Sequence, residues 1–351
     1  MRMSIFRNAV DIFDEYVPGG ALFLDHFRRA KADIRTFARS LTPWRHLENR
    51  IPWLTLEVTN ICNSNCRFCA YQYQGRFRGR RGFMSEAVFK KALEEFVALG
   101  GEFISFTPFA GEPLLDPKII GRISDATSLG ISTFMFTNGI LLNRIDVEKF
   151  LRSGINTLTV STAPFDRDVY EMLFRNRHYD DVLEGICKIL YLRNKFRHDL
   201  TINIAFRSHI PMREVLKLPD FRSQVLPLLS RKDLDALIVN TRGYDNWGGQ
   251  IKENDMIGIM RLALVPILKY RPCAWTLLGP YVTFDGQIRA CPCRFAAIEN
   301  REGKDELLMG DITKSSLAEI WFGDTVKDLH RRFTSGRLPA VCKECSMYRA
   351  C

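Results

Sequence analysis

The chain has 351 residues, 46% hydrophobic and 26% charged, which suits one main domain with a smaller one and is too apolar for a disordered chain. No run approaches the roughly 18 uninterrupted apolar residues of a membrane span, and acids interrupt MRMSIFRNAVDIFDEYV, where a secretory signal carries an apolar core. A cytoplasmic protein is expected. Its net charge of +10 reads first as a solvated basic surface and alternatively as attraction to an anionic partner, with the densest run at Arg76–Arg81, and no nucleic-acid-binding motif accompanies it.

Residues 1–50 read as a helical extension. FRNAVDIFDEYV and FLDHFRRAKADIRTFARSL place apolar residues at helical spacing, with a break at Pro18–Gly20. From Trp53 the pattern changes to WLTLEV, FISFT, ISTFMFTN, INTLTVST, TINIAFRS and LDALIVNTRG, runs rich in β-branched and aromatic residues. Helical segments separate them. In SEAVFKKALEEFVALG, Ser85 caps the start and Gly100–Gly101 stop the end; DVEKFLRSG and DVLEGICKILYLRNKF are two more. Alternating strands and helices predict an α/β fold, a partial (β/α)6 TIM-like barrel over residues 51–265, with a small domain over 266–351. Reactive groups then belong at the carboxyl ends of the strands.

The first strand ends in CNSNCRFC, which packs Cys62, Cys66 and Cys69 into eight residues. Of the ten cysteines, Cys273, Cys291, Cys293, Cys342, Cys345 and Cys351 crowd the C-terminal end, while Cys187 sits on an apolar helical face as a core residue. Chain length argues against a disulfide framework and for metal ligation. A structural zinc needs a fourth local ligand, which the triplet lacks. A four-iron cluster can be held at three corners, with one iron left open for an exogenous ligand.

Cys62-x3-Cys66-x2-Cys69, with Phe68 before the last cysteine, resembles the signature of radical S-adenosylmethionine (SAM) enzymes. The resemblance implies a [4Fe–4S] cluster whose open iron chelates SAM, and reductive cleavage to a 5′-deoxyadenosyl radical. Ala110-Gly111-Glu112-Pro113 resembles the family's Gly-Gly-Glu-Pro turn at the SAM amino group, with alanine at its first position. Thr137-Asn138-Gly139 matches a common strand ending near SAM. Ser161 and Thr162 stand where the family often contacts ribose or the methionine carboxylate.

Downstream, Cys273-x12-Gly286-x4-Cys291 spans a predicted hairpin with Asp285-Gly286 at its turn, and Cys342-x2-Cys345-x5-Cys351 follows. This is similar to the SPASM and twitch extensions that carry auxiliary iron–sulfur clusters. A full SPASM pattern continues beyond the x5 cysteine, so one auxiliary [4Fe–4S] cluster is expected. Its ligands are Cys273, Cys291, Cys342 and Cys345, with Cys351 and then Cys293 as substitutes. Cys293 is alternatively a hydrogen-atom donor of the kind some family epimerases use, and a zinc ribbon is the other reading of the segment.

The substrate is less defined. Thr241–Trp247 follows the sixth strand; there Arg242 can pair an anion and Asp245 can accept a proton. Arg207 is a second anion-binding candidate. Glu57 points either into the barrel or to its opposite face. The resemblance implies hydrogen abstraction, and the cysteine-rich tail favours oxidation over epimerisation. A small polar, anionic, sugar-like metabolite is preferred to a ribosomally made peptide, because the N-terminal extension lacks a strand-rich peptide-recognition domain. A flavodoxin or ferredoxin would supply electrons. An electron-transfer or zinc-binding protein is the non-enzymatic alternative.

Overall fold

The computed structural model describes residues 50–74, 81–197, 199–230, 233–234, 237–291 and 305–349. The readings of residues 1–49, of most of the Arg76–Arg81 run, and of Cys293 and Cys351 fall outside these described residues.

The six expected strands form. They are β1 (Trp53–Leu56), β2 (Phe103–Ser105), β3 (Ser132–Thr137), β4 (Thr157–Thr162), β5 (Thr201–Arg207) and β6 (Ile238–Asn240). They pair in chain order, every pair parallel. Intervening helices make the crossovers that parallel neighbours require: α1 (Glu86–Ala98), α2 (Ile119–Ser128), α3 (Val147–Arg152), α4 (Arg167–Phe174) and α5 (Tyr179–Phe196). The result is an α/β fold with the sheet of a partial TIM-like barrel. Ser85 caps α1 by accepting from Val88 N, and Asp146 and Asp166 cap α3 and α4 in the same way.

Alternation along the strands sorts two faces. In β3, Thr133, Met135 and Thr137 are buried, while Phe134 and Phe136 share the other face and Phe136 is 39% exposed. Of the buried set, Met135 joins Leu54, Leu56, Ile104, Leu158 and Ile204 in one continuous core. Cys187 departs from its expected core position: on α5 it is only half-buried, with its sulfur 3.7 Å from the Gln224 carbonyl. The buried stripe of that helix runs through Val182, Leu183, Ile186, Ile189 and Leu190, and Cys187 lies on its shoulder.

The sixth strand stops at Asn240. Tyr244 folds back to donate to the Asn240 carbonyl at 2.5 Å, and β7 (Arg242–Tyr244) pairs with β8 (Arg261–Leu262) in a separate small sheet. The predicted hairpin forms as β9 (Tyr281–Val282) and β10 (Gln287–Arg289), with Gly286 at φ +90° in its turn, a conformation that favours glycine. β11 (Leu308–Asp311) extends it. β9 pairs parallel with β1, Thr55 opposite Tyr281 and Leu56 opposite Val282, so the C-terminal strands continue the barrel sheet at its β1 edge. Helices α6 (Leu317–Trp321) and α7 (Asp324–Thr334) follow.

Candidate active site

The cysteine triplet leaves the carboxyl end of β1 in a loop fastened from both sides. Tyr71 accepts from the Cys62 amide at 3.0 Å and donates to the Cys62 carbonyl at 3.1 Å. The Asn65 and Arg67 amides and the Ser64 hydroxyl donate to carbonyls of Phe174 and Leu173 at the end of α4. Those carbonyls have no helical donor of their own, so docking the loop satisfies them. The Cys69 amide reaches the Cys66 carbonyl at 3.1 Å. The Ser64 hydroxyl lies 3.2 Å from the Cys66 sulfur, and the Tyr71 amide 3.4 Å from the Cys69 sulfur.

The three residues are half-buried, yet their sulfurs lie in poorly solvated surroundings. Burial pushes the Cys66 thiol up to about 11 and the Cys69 thiol up to about 12, and Cys62 higher still, helped by the nearby Glu112. Such sulfurs stay protonated at neutral pH unless a cation offsets the cost of ionisation. An iron core supplies that charge, so the donor set fits a thiolate-bound cluster.

The Ala110–Pro113 turn at the end of β2 lies against this loop. An ideal Cβ on Gly111 would meet the Thr59 carbonyl oxygen at 2.5 Å, so only glycine allows the approach. The Glu112 carboxylate accepts from the Thr137 hydroxyl at 2.7 Å, the Asn138 amide at 2.8 Å and the Leu114 amide at 3.1 Å. Its own amide reaches the Ile61 carbonyl at 2.8 Å, and burial raises its carboxyl to about 7. Glu112 thus braces the ends of β1, β2 and β3 together, with Pro113 beside it. Asn138 donates to Asn63 at 2.7 Å and lies 3.9 Å from the Cys62 sulfur.

Arg207, at the end of β5, donates to the Ser161 hydroxyl at 3.1 Å. Its guanidinium sits over the rings of Phe68 and Tyr244, 5.7 and 5.8 Å from their centroids. Phe68 therefore packs between Arg207, Tyr244 and, edge-on, Phe174. The structure gathers Phe68, Gly111, Glu112, Pro113, Thr137, Asn138, Ser161 and Arg207 around the cysteine loop.

Cys273, Cys291, Cys342 and Cys345 are buried and line one pocket with Met347 and Tyr348. Burial and the neighbouring sulfurs push the Cys273 thiol up to about 12. Among the described residues no group of three or more His, Cys, Asp or Glu side chains is placed to hold a single metal ion; these thiols surround a space. The Lys269 ammonium, buried beneath the Cys342–Cys345 turn, donates to the carbonyls of Cys342, Lys343 and Cys345 at 2.7, 2.8 and 3.1 Å.

The Thr241–Trp247 segment connects the two cysteine groups. Asn246 and Ser346 exchange hydrogen bonds of 3.0 and 3.2 Å, and Asn246 also donates to the Glu344 carbonyl. The Trp247 indole donates to the Phe68 carbonyl at 3.1 Å and packs edge-on against Phe109 at 4.4 Å. Asp245 accepts from the Trp247 amide at 2.8 Å and lies 3.4 Å from the Ser346 hydroxyl. Arg242 is half-buried on β7. Sequence reasoning missed Tyr71, Lys269 and Tyr281. Tyr71 carried a signal, an aromatic two residues after Cys69; the others act through partners distant in sequence.

Residues 56–214 match the radical SAM superfamily, and residues 273–346 match the SPASM iron–sulfur cluster-binding domain. An uncharacterised protein of Methanocaldococcus jannaschii is 25% identical over 59% of this chain and 68% of its own length. The GTP 3′,8-cyclase of Marinobacter nauticus is 28% identical over 39% of this chain and 40% of its own length. BtrN, solved with AdoMet and 2-DOIA, shares the fold at TM-score 0.53 and 18% identity, covering 84% of this chain and 92% of that one. Streptococcus suis SuiB, solved with its precursor peptide SuiA, does so at 0.57 and 15%, covering 86% and 71%. The chain therefore carries a radical SAM domain over residues 56–214, with the SAM-binding [4Fe–4S] cluster that implies, followed by a C-terminal SPASM domain for auxiliary iron–sulfur ligation.

Proposed function

We propose that this chain is a radical SAM oxidoreductase that abstracts a hydrogen atom from a small polar, anionic, sugar-like metabolite and oxidises it. Cys62, Cys66 and Cys69 hold the SAM-binding cluster, and Cys273, Cys291, Cys342 and Cys345 hold one auxiliary cluster. The observation that carries this reading is the pairing of a three-thiol loop with a separate pocket lined by four buried thiols. When bound, the clusters and SAM supply a carbon-centred oxidant and a nearby electron acceptor.

The chain's own residues bind and orient. Gly111 keeps the turn close to Thr59, while Glu112, Pro113, Thr137 and Asn138 hold the strand ends around SAM. Ser161 orients Arg207, which Phe68 fixes in place and whose charge would bind the carboxylate of SAM. Arg242 holds the substrate anion and Asp245 accepts the proton released on oxidation. Cys351 is the substitute cluster ligand, and Cys293 the hydrogen donor if the outcome is epimerisation. On this reading the radical SAM domain spans 51–265 and the auxiliary domain 266–351, after an N-terminal extension over 1–50. A flavodoxin or ferredoxin delivers electrons in the cytoplasm; among the described residues no helix is long and apolar enough to cross a membrane. The fold shared with SuiB supports a second reading, modification of a ribosomally made peptide.

The test is to reconstitute the protein anaerobically, reduce it with dithionite, add SAM and measure 5′-deoxyadenosine with sugar-derived or peptide substrates. Turnover stimulated by a phosphorylated sugar or aminocyclitol supports the metabolite reading. Stimulation by peptides alone selects the second, and a wild type that makes none defeats both.

A further inference from the structure

We propose that the C-terminal domain completes the SAM-binding turn through Tyr281, which acts as a positioning residue from the β9 hairpin. The inference rests on the reading of Ala110–Pro113 as that turn. The Tyr281 hydroxyl accepts from the Phe109 amide at 2.9 Å and donates to the Glu57 carboxylate. Phe109 immediately precedes Ala110, so this bond fixes the backbone entering the turn. Tyr281 is fully buried and Glu57 is 1% exposed; water cannot replace either partner.

The node spans both domains. Glu57 follows β1 and leads towards the cysteine loop, and its amide donates to the Val282 carbonyl of the hairpin at 2.9 Å. Glu57 thus spends its contacts on the hairpin. On its other side the Phe109 ring packs against Trp247, whose indole holds the Phe68 carbonyl. The SAM-binding turn is therefore held between two elements outside the first five strands. A displacement of the β9 hairpin reaches the turn directly through the Tyr281 hydroxyl.

Tyr281→Phe keeps the ring and its packing and deletes only that hydroxyl. On reconstituted, dithionite-free protein, equilibrium dialysis with labelled SAM should show a Kd raised about tenfold, the scale of one buried amide left unpaired. Iron content should match wild type, and hydrogen exchange at the Phe109 amide should accelerate. Glu57→Gln keeps an acceptor for the hydroxyl and should bind SAM within about twofold of wild type. An unchanged Kd in Tyr281→Phe beside a wild type that binds SAM overturns the positioning role alone. Equal loss of iron and SAM affinity overturns it in favour of general destabilisation. A wild type that does not bind SAM overturns the underlying reading as well.

Discussion

Adding one methyl group at Gly111 should separate the cysteine loop from the turn beside it. The new Cβ would stand 2.5 Å from the Thr59 carbonyl oxygen and 3.1 Å from Cβ and Cγ of Pro108. Ordinary carbon–oxygen contacts begin near about 3.3 Å, so one backbone must retreat by most of an ångström. Thr59 cannot yield freely: its hydroxyl donates to the Gly82 carbonyl at 2.8 Å and accepts from the Ile61 amide at 3.1 Å. Overpacking of this kind costs about 1–3 kcal/mol. Spent on the SAM site, that weakens binding by about 5- to 150-fold. The assay is SAM affinity of reconstituted Gly111→Ala, with Ala110→Gly as a control expected within about twofold of wild type. Wild-type affinity in Gly111→Ala, with an unchanged melting temperature, would refute the close-approach argument.

Lys269→Met should strip the donor from three converging carbonyls and loosen the Cys342–Cys345 turn; iron per chain should fall from about eight to about four, and a count that stays at eight contradicts the role. Glu57 makes a pH prediction, because burial raises its carboxyl from 4.5 to about 8. Its stabilising contribution is full below 4.5 and is lost as pH rises to about 8, a change on the order of a few kcal/mol. Glu57→Gln, neutral throughout, should lose that share, so its melting temperature should fall less across this window; parallel curves for the two proteins contradict it.

How far the sequence could be read depended on how local each feature is. The strands and the Ser85 cap were legible because alternation and capping are short-range patterns. The triplet and the Ala110–Pro113 turn stand out in the sequence because their residues are contiguous, and the fold places the two side by side. Helix α4 escaped notice: RDVYEMLF is short, although Asp166 caps it and Val169, Tyr170, Leu173 and Phe174 bury one face. The parallel pairing of β9 with β1 was hidden, since nothing in YVTFDG specifies a partner far back in the chain. Lys269 and Tyr281 were hidden for the same reason: their bonds go to backbone groups or side chains that only the fold brings near. The face of Glu57 was undecidable from periodicity, and its bond from Tyr281 assigns it to the side of the C-terminal hairpin.

Electron paramagnetic resonance of the reduced, reconstituted protein, recorded before and after SAM is added, tests most directly whether the three-cysteine loop leaves one iron open. A cluster signal whose g-values shift on SAM addition, and which disappears in Cys66→Ala while the auxiliary signal persists, is the predicted result. A signal indifferent to SAM, or a protein that retains zinc and takes up no iron, would contradict it.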